Sequence, residues 1–132
     1  PAWHPTKGMI MHDFAYTSDV WHTTEAVAPK SGVIQAKVRT IGKAKHVFCL
    51  TTINAKKSLH LLPANHLVKE AIYTLVWNEQ EVVNYVNNVE VSRTQNPLAD
   101  KALHLLVRSY LPQEQKGGTG QMDIDWIRIY TK

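Results

Sequence analysis

Carboxylate catalysis needs two acids that converge on one reacting centre, and this 132-residue chain offers few such pairs. Asp123 and Asp125 stand two residues apart in QMDIDWIRIY, so on a strand they share a face. Glu79 and Glu81 have the same spacing beside a turn, and no Asp or Glu occurs between Glu25 and Glu70. Ser58 and His60 are a nucleophile type and a base type. Residues at i and i+2 on a strand lie about 6.5–7 Å apart at the backbone, however, and no carboxylate is near in sequence to orient the imidazole. His60 with His66 or His46 lacks the spacing of a metal pair. The single cysteine, Cys49, excludes an intramolecular disulfide and thiolate metal sites. In the apolar run HVFCLTT it reads as a small buried hydrophobe rather than a reactive thiol.

Composition bounds the rest. With 44% hydrophobic and 20% charged residues the chain is an ordinary globular domain, and its length suits one domain over residues 1–132. The net charge of +4 is scattered rather than gathered in the stripe or patch that nucleic-acid binding requires. The nearest approach to a cluster is Lys43, Lys45 and His46, then Lys56 and Lys57. These read first as solvated loops, with a weak anionic-ligand patch as the alternative. No apolar run reaches the roughly 18 residues that span a bilayer, there is no signal-peptide pattern, and the absence of an initiating Met is expected of a processed or trimmed chain.

The elements that would position these residues alternate at the strand period. Residues 1–8, with two prolines and a glycine, are expected to lie as an extended arm over the body rather than in a sheet. Strands are expected over Gly8–Asp13, Val20–Ala26, Val33–Thr40, His46–Ile53, Ser58–Leu62, Tyr73–Trp77, Glu81–Val86 and Val89–Ser92, then in ALHLLVRSY and QMDIDWIRIY. Turns are expected at Thr17-Ser18-Asp19, at Ala28–Gly32 and at Asn87-Asn88, since Asn tolerates positive φ. The only helix pattern is a turn or two near His66–Ala71. On one strand Ile34, Ala36 and Val38 make an apolar face and Gln35, Lys37 and Arg39 the other. On another, Ser58 and His60 oppose Leu59 and Leu61. This is the pattern of an all-β, antiparallel β-sandwich or barrel.

The blocks YTSDVWHTTEAVAPKSGVIQAKVRT, HVFCLTT, YTLVWNEQEVVNYVNNVEV, ALHLLV and MDIDWIRIY, in that order, resemble family-16 glycoside hydrolases of the laminarinase and lichenase group over about Phe14 to Tyr130. The resemblance implies a concanavalin A-like jelly roll, trimmed in its N-terminal strands, whose concave sheet forms a polysaccharide cleft. The family's catalytic strand reads ExDxE or ExDxxE, because alternate strand residues point one way and bring the two carboxylates to the about 5–5.5 Å that retention needs. Here the strand in that place is KSLHLLPAN, with Ser58 at the nucleophile position, His60 at the middle acid and Leu62 or Pro63 at the acid/base. Cys49 falls near the cleft Trp of the family's FWL block. The MDIDW ending matches a block whose second acid helps some members hold calcium, so Asp125 is a candidate calcium ligand and otherwise caps a loop.

No catalytic residue is therefore assigned, and the expected activity is binding of a polysaccharide or oligosaccharide. Sugar sites combine aromatic platforms with planar polar groups. The candidates on the presumed concave face are Trp21, Gln35, Lys37, Arg39, Ser58, His60, His104, Arg108 and Tyr110. Trp77 and Trp126 read as core, and Trp3 as cover for a sheet edge. The rivals are a divergent glycoside hydrolase acting on a β-glucan or galactan, and a structural or protein-interaction sandwich. The resemblance also implies an extracellular, periplasmic or cell-surface location.

Overall fold

A computed structural model describes residues 2–4, 8–13, 18–23, 26, 31–42, 44–52, 57–63, 69–99, 101–110 and 120–131. Strands in these residues are β1 (Ala2–His4), β2 (Gly8–Asp13), β3 (Ser18–His22), β4 (Gly32–Gly42), β5 (Lys45–Thr51) and β6 (Ser58–His60). They continue with β7 (Glu70–Trp77), β8 (Glu81–Val86), β9 (Val89–Gln95), β10 (His104–Tyr110) and β11 (Gly120–Thr131). All pair antiparallel, in a seven-stranded sheet of order β1-β2-β11-β4-β7-β8-β9 and a four-stranded sheet of order β3-β10-β5-β6. This is the all-β sandwich expected. Among the described residues no helix is long and apolar enough to cross a membrane.

Alternation explains the core. Ile34, Ala36 and Val38 of β4 pair with Leu75, Tyr73 and Ala71 of β7, and all six are buried. Phe48 and Leu50 of β5, Val107 and Leu105 of β10 and Leu59 of β6 form the facing layer. Each of the Val, Leu, Ile and Phe side chains among them contributes about 1.5–3 kcal/mol by leaving water.

Local chemistry sets the turns. Asn87 and Asn88 both have positive φ, 49° and 67°, as a two-residue type I′ hairpin requires between β8 and β9. The Asn78 carboxamide oxygen accepts from the backbone N–H groups of Gln80 and Glu81, each at 2.8 Å, an Asx turn that closes the β7–β8 hairpin. At Gly42 (φ 86°) the chain leaves the seven-stranded sheet and enters the four-stranded one as β5. Gly120 passes so close beneath this crossover that a Cβ there would collide with Ala44.

Four sequence expectations are corrected. Ala2–His4 is an edge strand on β2, because the backbone of this segment completes β2's outer hydrogen bonds, so the expected arm is in a sheet over these residues. Ser18 and Asp19, expected in a turn, pair with Tyr110 and Ser109. Glu70 and Ala71, at the end of the expected helix, are the start of β7, paired with Arg39 and Val38, and residues 64–68 lie outside those described. Trp126 is half-buried on the outward face rather than in the core. A bulge between Ile124 and Trp126 inserts Asp125 and reverses the strand's parity, so Trp126 pairs with Lys37 and Ile127 turns toward the core. Arg128 then stacks over the Trp126 ring at 4.3 Å.

The free edge of the four-stranded sheet is tied to the other sheet through a buried amide. Asn84 of β8 shares the inward face with Leu75, donates from Nδ2 to the His60 carbonyl of β6 at 2.8 Å, and accepts from the Ser92 hydroxyl at 3.0 Å. An Asn84→Ala variant leaves that carbonyl and the Ser92 hydroxyl without this partner. It is expected to lose about 1–3 kcal/mol in urea unfolding, whereas Ser92→Ala, which leaves the bond to His60 in place, loses less.

Candidate functional site

Register divides the four-stranded sheet into two faces. His46, Phe48 and Leu50 of β5 point inward with Ser109, Val107 and Leu105 of β10. Lys45, Val47, Cys49 and Thr51 have the opposite parity, and with them go Tyr110, Arg108, Leu106 and His104 of β10 and His60 and Ser58 of β6. Five of the nine candidates, Ser58, His60, His104, Arg108 and Tyr110, are therefore on one outward face. Among the described residues that face carries no Asp or Glu.

The remaining four are placed elsewhere. Trp21, which the sequence leaves open between core and platform, pairs with Val107, and its partly buried side chain packs against the core. Gln35, Lys37 and Arg39 do oppose the apolar face of β4, but β4 sits in the other sheet, between β11 and β7. They face outward on the far side of the sandwich. There the Gln35 amide donates to the Thr74 hydroxyl at 3.0 Å, and Lys37 stands 3.8 Å from Glu70 and 3.7 Å from Asp125.

Asp125 therefore faces an ammonium group. Among the described residues no three His, Cys, Asp or Glu side chains gather as metal ligands. Asp123, buried and held by the Gln121 amide at 2.6 Å, lies on the same far face.

At the end of the four-stranded sheet, beneath the β4–β5 crossover, a groove of about 610 Å³ opens. Lys45, Val47, His60 and Tyr110 supply its outward wall, and Thr40, Gly42, His46 and Leu62 its inner end. Beside the groove, Arg108 lies over the Tyr110 ring at 4.6 Å, which covers one ring face and orients the guanidinium. Lys45 read as a loop lysine. Its part in the site was hidden because HVFCLTT is apolar on both parities, and the alternation Lys45, Val47, Cys49, Thr51 was the available signal.

Next to the groove, Ser58 donates to the Thr51 hydroxyl at 3.2 Å, and Thr51 donates to the Lys57 carbonyl at 3.0 Å. Ser58 is thus part of a hydroxyl chain, with no base on it. Cys49 is 1% exposed. Burial pushes its thiol up, a hydrogen bond with Ser58 acts in the opposite direction, and the net rise makes it a poor nucleophile.

His46 is the one strongly perturbed histidine among the described residues. Its Nδ1 is 2.7 Å from the Ser109 hydroxyl, and burial lowers its pKa from 6.5 to about 4. It is neutral at pH 7, and the folded state takes up its proton later than the unfolded chain on acidification. Its contribution to stability is thus present above pH 6.5 and is lost as pH falls toward about 4. The limit is about 3 kcal/mol, reduced to about 2 kcal/mol because the imidazole is only part-buried and borders an open groove. Urea midpoints at pH 7.5 and 4.5 should therefore fall less for His46→Gln than for the parent chain. Equal falls would remove His46 as the cause.

Comparison with known proteins adds the fold. No family model and no curated protein sequence matches this chain. Solved structures do. The glycoside hydrolase family 16 endo-glucanase from Bacteroides ovatus aligns with a TM-score of 0.65 at 12% identity, over 91% of this chain and 79% of that one. β-Agarase A from Zobellia galactanivorans gives 0.65 at 8% identity, over 85% of this chain and 66% of that one. A sialidase gives 0.67 at 10% identity, over 100% of this chain and 16% of its own. The chain has a glycoside hydrolase family 16-like jelly-roll fold.

Proposed function

We propose that this chain is a non-catalytic carbohydrate-binding domain that takes part in polysaccharide recognition or processing at an extracellular, periplasmic or cell-surface location. The observation that carries the reading is the outward face of the four-stranded sheet. Ser58, His60, His104, Arg108 and Tyr110 line it in place of converging acids. A retaining hydrolase needs two carboxylates about 5–5.5 Å apart, and a hydroxyl and an imidazole cannot substitute for them in a double displacement at a sugar carbon. Hydroxyls and imidazoles do suit hydrogen bonding to sugar hydroxyls. Its fold neighbours include an endo-glucanase and an agarase, which supports a polysaccharide as the partner. The sialidase match, over 16% of that chain, supports a domain that serves within a larger glycan-processing protein.

The rival is a divergent hydrolase using Asp123. That carboxylate is buried beside Gln121 on the far face of the other sheet, away from the groove. Native affinity electrophoresis across neutral and charged polysaccharides is expected to retard the protein on at least one of them. His60→Ala should weaken that retardation about 5-fold, the loss of one hydrogen bond worth about 1 kcal/mol. No retardation on any glycan would leave a structural domain. Release of reducing sugar from laminarin, lichenan or agarose that disappears in Asp123→Asn would establish the enzyme instead.

A further inference from the structure

Some of the positive charge on the outward faces of this sandwich is paired and some is not. On the seven-stranded sheet Lys37 is held between Glu70 and Asp125, and Arg93 between Glu81 and Glu90. Those two charges are cancelled locally, whereas Arg39 and Arg128 on the same sheet have no carboxylate partner among the described residues. On the four-stranded sheet Lys45 and Arg108 are exposed, and among the described residues neither has a carboxylate partner. They are also neighbours, since Tyr110 pairs with Lys45 and Arg108 with Val47 in the β5–β10 ladder.

We propose that the groove beneath the β4–β5 crossover binds a glycan through an anionic substituent, a sulfate ester or a uronate carboxylate, held by Lys45 and Arg108. This rests on the glycan-binding reading above and narrows it to charged glycans. The groove's volume of about 610 Å³ is that of a small-molecule site. Arg108 is stacked on Tyr110, so its guanidinium is already oriented and its N–H edges remain available for a two-oxygen contact. Tyr110 acts as a positioning residue for Arg108, which lies over one face of its ring. His60 and Thr40, on the groove walls, are left for ring hydroxyls. His46 adds no charge at neutral pH, since burial holds its pKa near 4.

The experiment compares matched glycans by affinity electrophoresis at low salt. Dextran sulfate against dextran isolates the sulfate. Desulfated chondroitin against its carboxyl-reduced form isolates the uronate. The expected result is retardation by one or both charged forms and not by their neutral counterparts, weakening as NaCl rises.

Lys45→Gln and Arg108→Gln should each weaken it about 5-fold. Tyr110→Leu should weaken it with Arg108 intact, whereas Tyr110→Phe, which keeps the stack, should not. Arg128→Gln is the control, an aromatic-stacked arginine on the opposite sheet. All variants are checked for unchanged melting temperature.

Retention by sulfate alone or by uronate alone identifies the source of the anion. Equal binding of neutral and charged forms overturns this proposal and leaves the glycan-binding reading standing. Absence of binding to every glycan overturns both. An Arg128→Gln loss as large as that of Arg108→Gln reduces the effect to net charge and overturns the proposal.

Discussion

Every central strand of this chain has one apolar face, and water forces those faces against one another. That burial is the constraint on which the rest depends. β4 is its centre. Hydrogen-bonded between β11 and β7, it presents Ile34, Ala36 and Val38 to the interior, then turns at Gly42 to become, as β5, part of the opposing sheet. The same few residues thus join the two layers, and the groove lies directly under the join. Close approach of Gly120 to Ala44 keeps this corner tight, and Asn84 secures the free edge of β6 where burial alone would leave a carbonyl unsatisfied.

The outward faces are where chemistry is free to vary. On one, Lys37, Glu70 and Asp125 are in contact, Gln35 is bonded to Thr74 and Arg128 is stacked on Trp126. The other keeps Lys45 and Arg108 without carboxylate partners among the described residues, beside hydroxyls and imidazoles. A polar group whose interactions are complete within the protein has little left to offer a ligand, and one left incomplete has more. The groove beside Lys45, His60 and Tyr110, rather than the number of polar residues on either face, is what separates the candidate site from the rest of the surface. The single cysteine of the chain fits the same logic in reverse, since Cys49 has outward parity and yet burial and a protonated thiol remove it from chemistry.

Legibility in the sequence followed the physics of alternation. Strand faces in β4, β6 and β7 were readable because a period of two is imposed by the pleat itself. The Asn87-Asn88 turn was readable because positive φ is a local demand. Misreadings arose where long-range pairing overrode local pattern. Glu70 and Ala71 fit a helical turn until Arg39 and Val38 claim them as strand partners. Trp126 fits the core until one bulged residue, Asp125, reverses its side of the sheet. Lys45 fits a loop until the register with Tyr110 places it at the groove.

By itself, then, the sequence determined the fold class, the two faces of β4, β6 and β7, and the lack of any acid between Glu25 and Glu70. These are properties of single segments and of composition. Tertiary structure decided which segments share a sheet. It separated Gln35, Lys37 and Arg39 from Ser58, His60, His104, Arg108 and Tyr110, and it turned Trp21 inward against Val107. Alternation specifies the side of a strand and is silent about its neighbours, because the hydrogen bonds that choose neighbours are made by a backbone common to every residue. A functional face in a sandwich is a product of those pairings, so its membership was not written in any one strand.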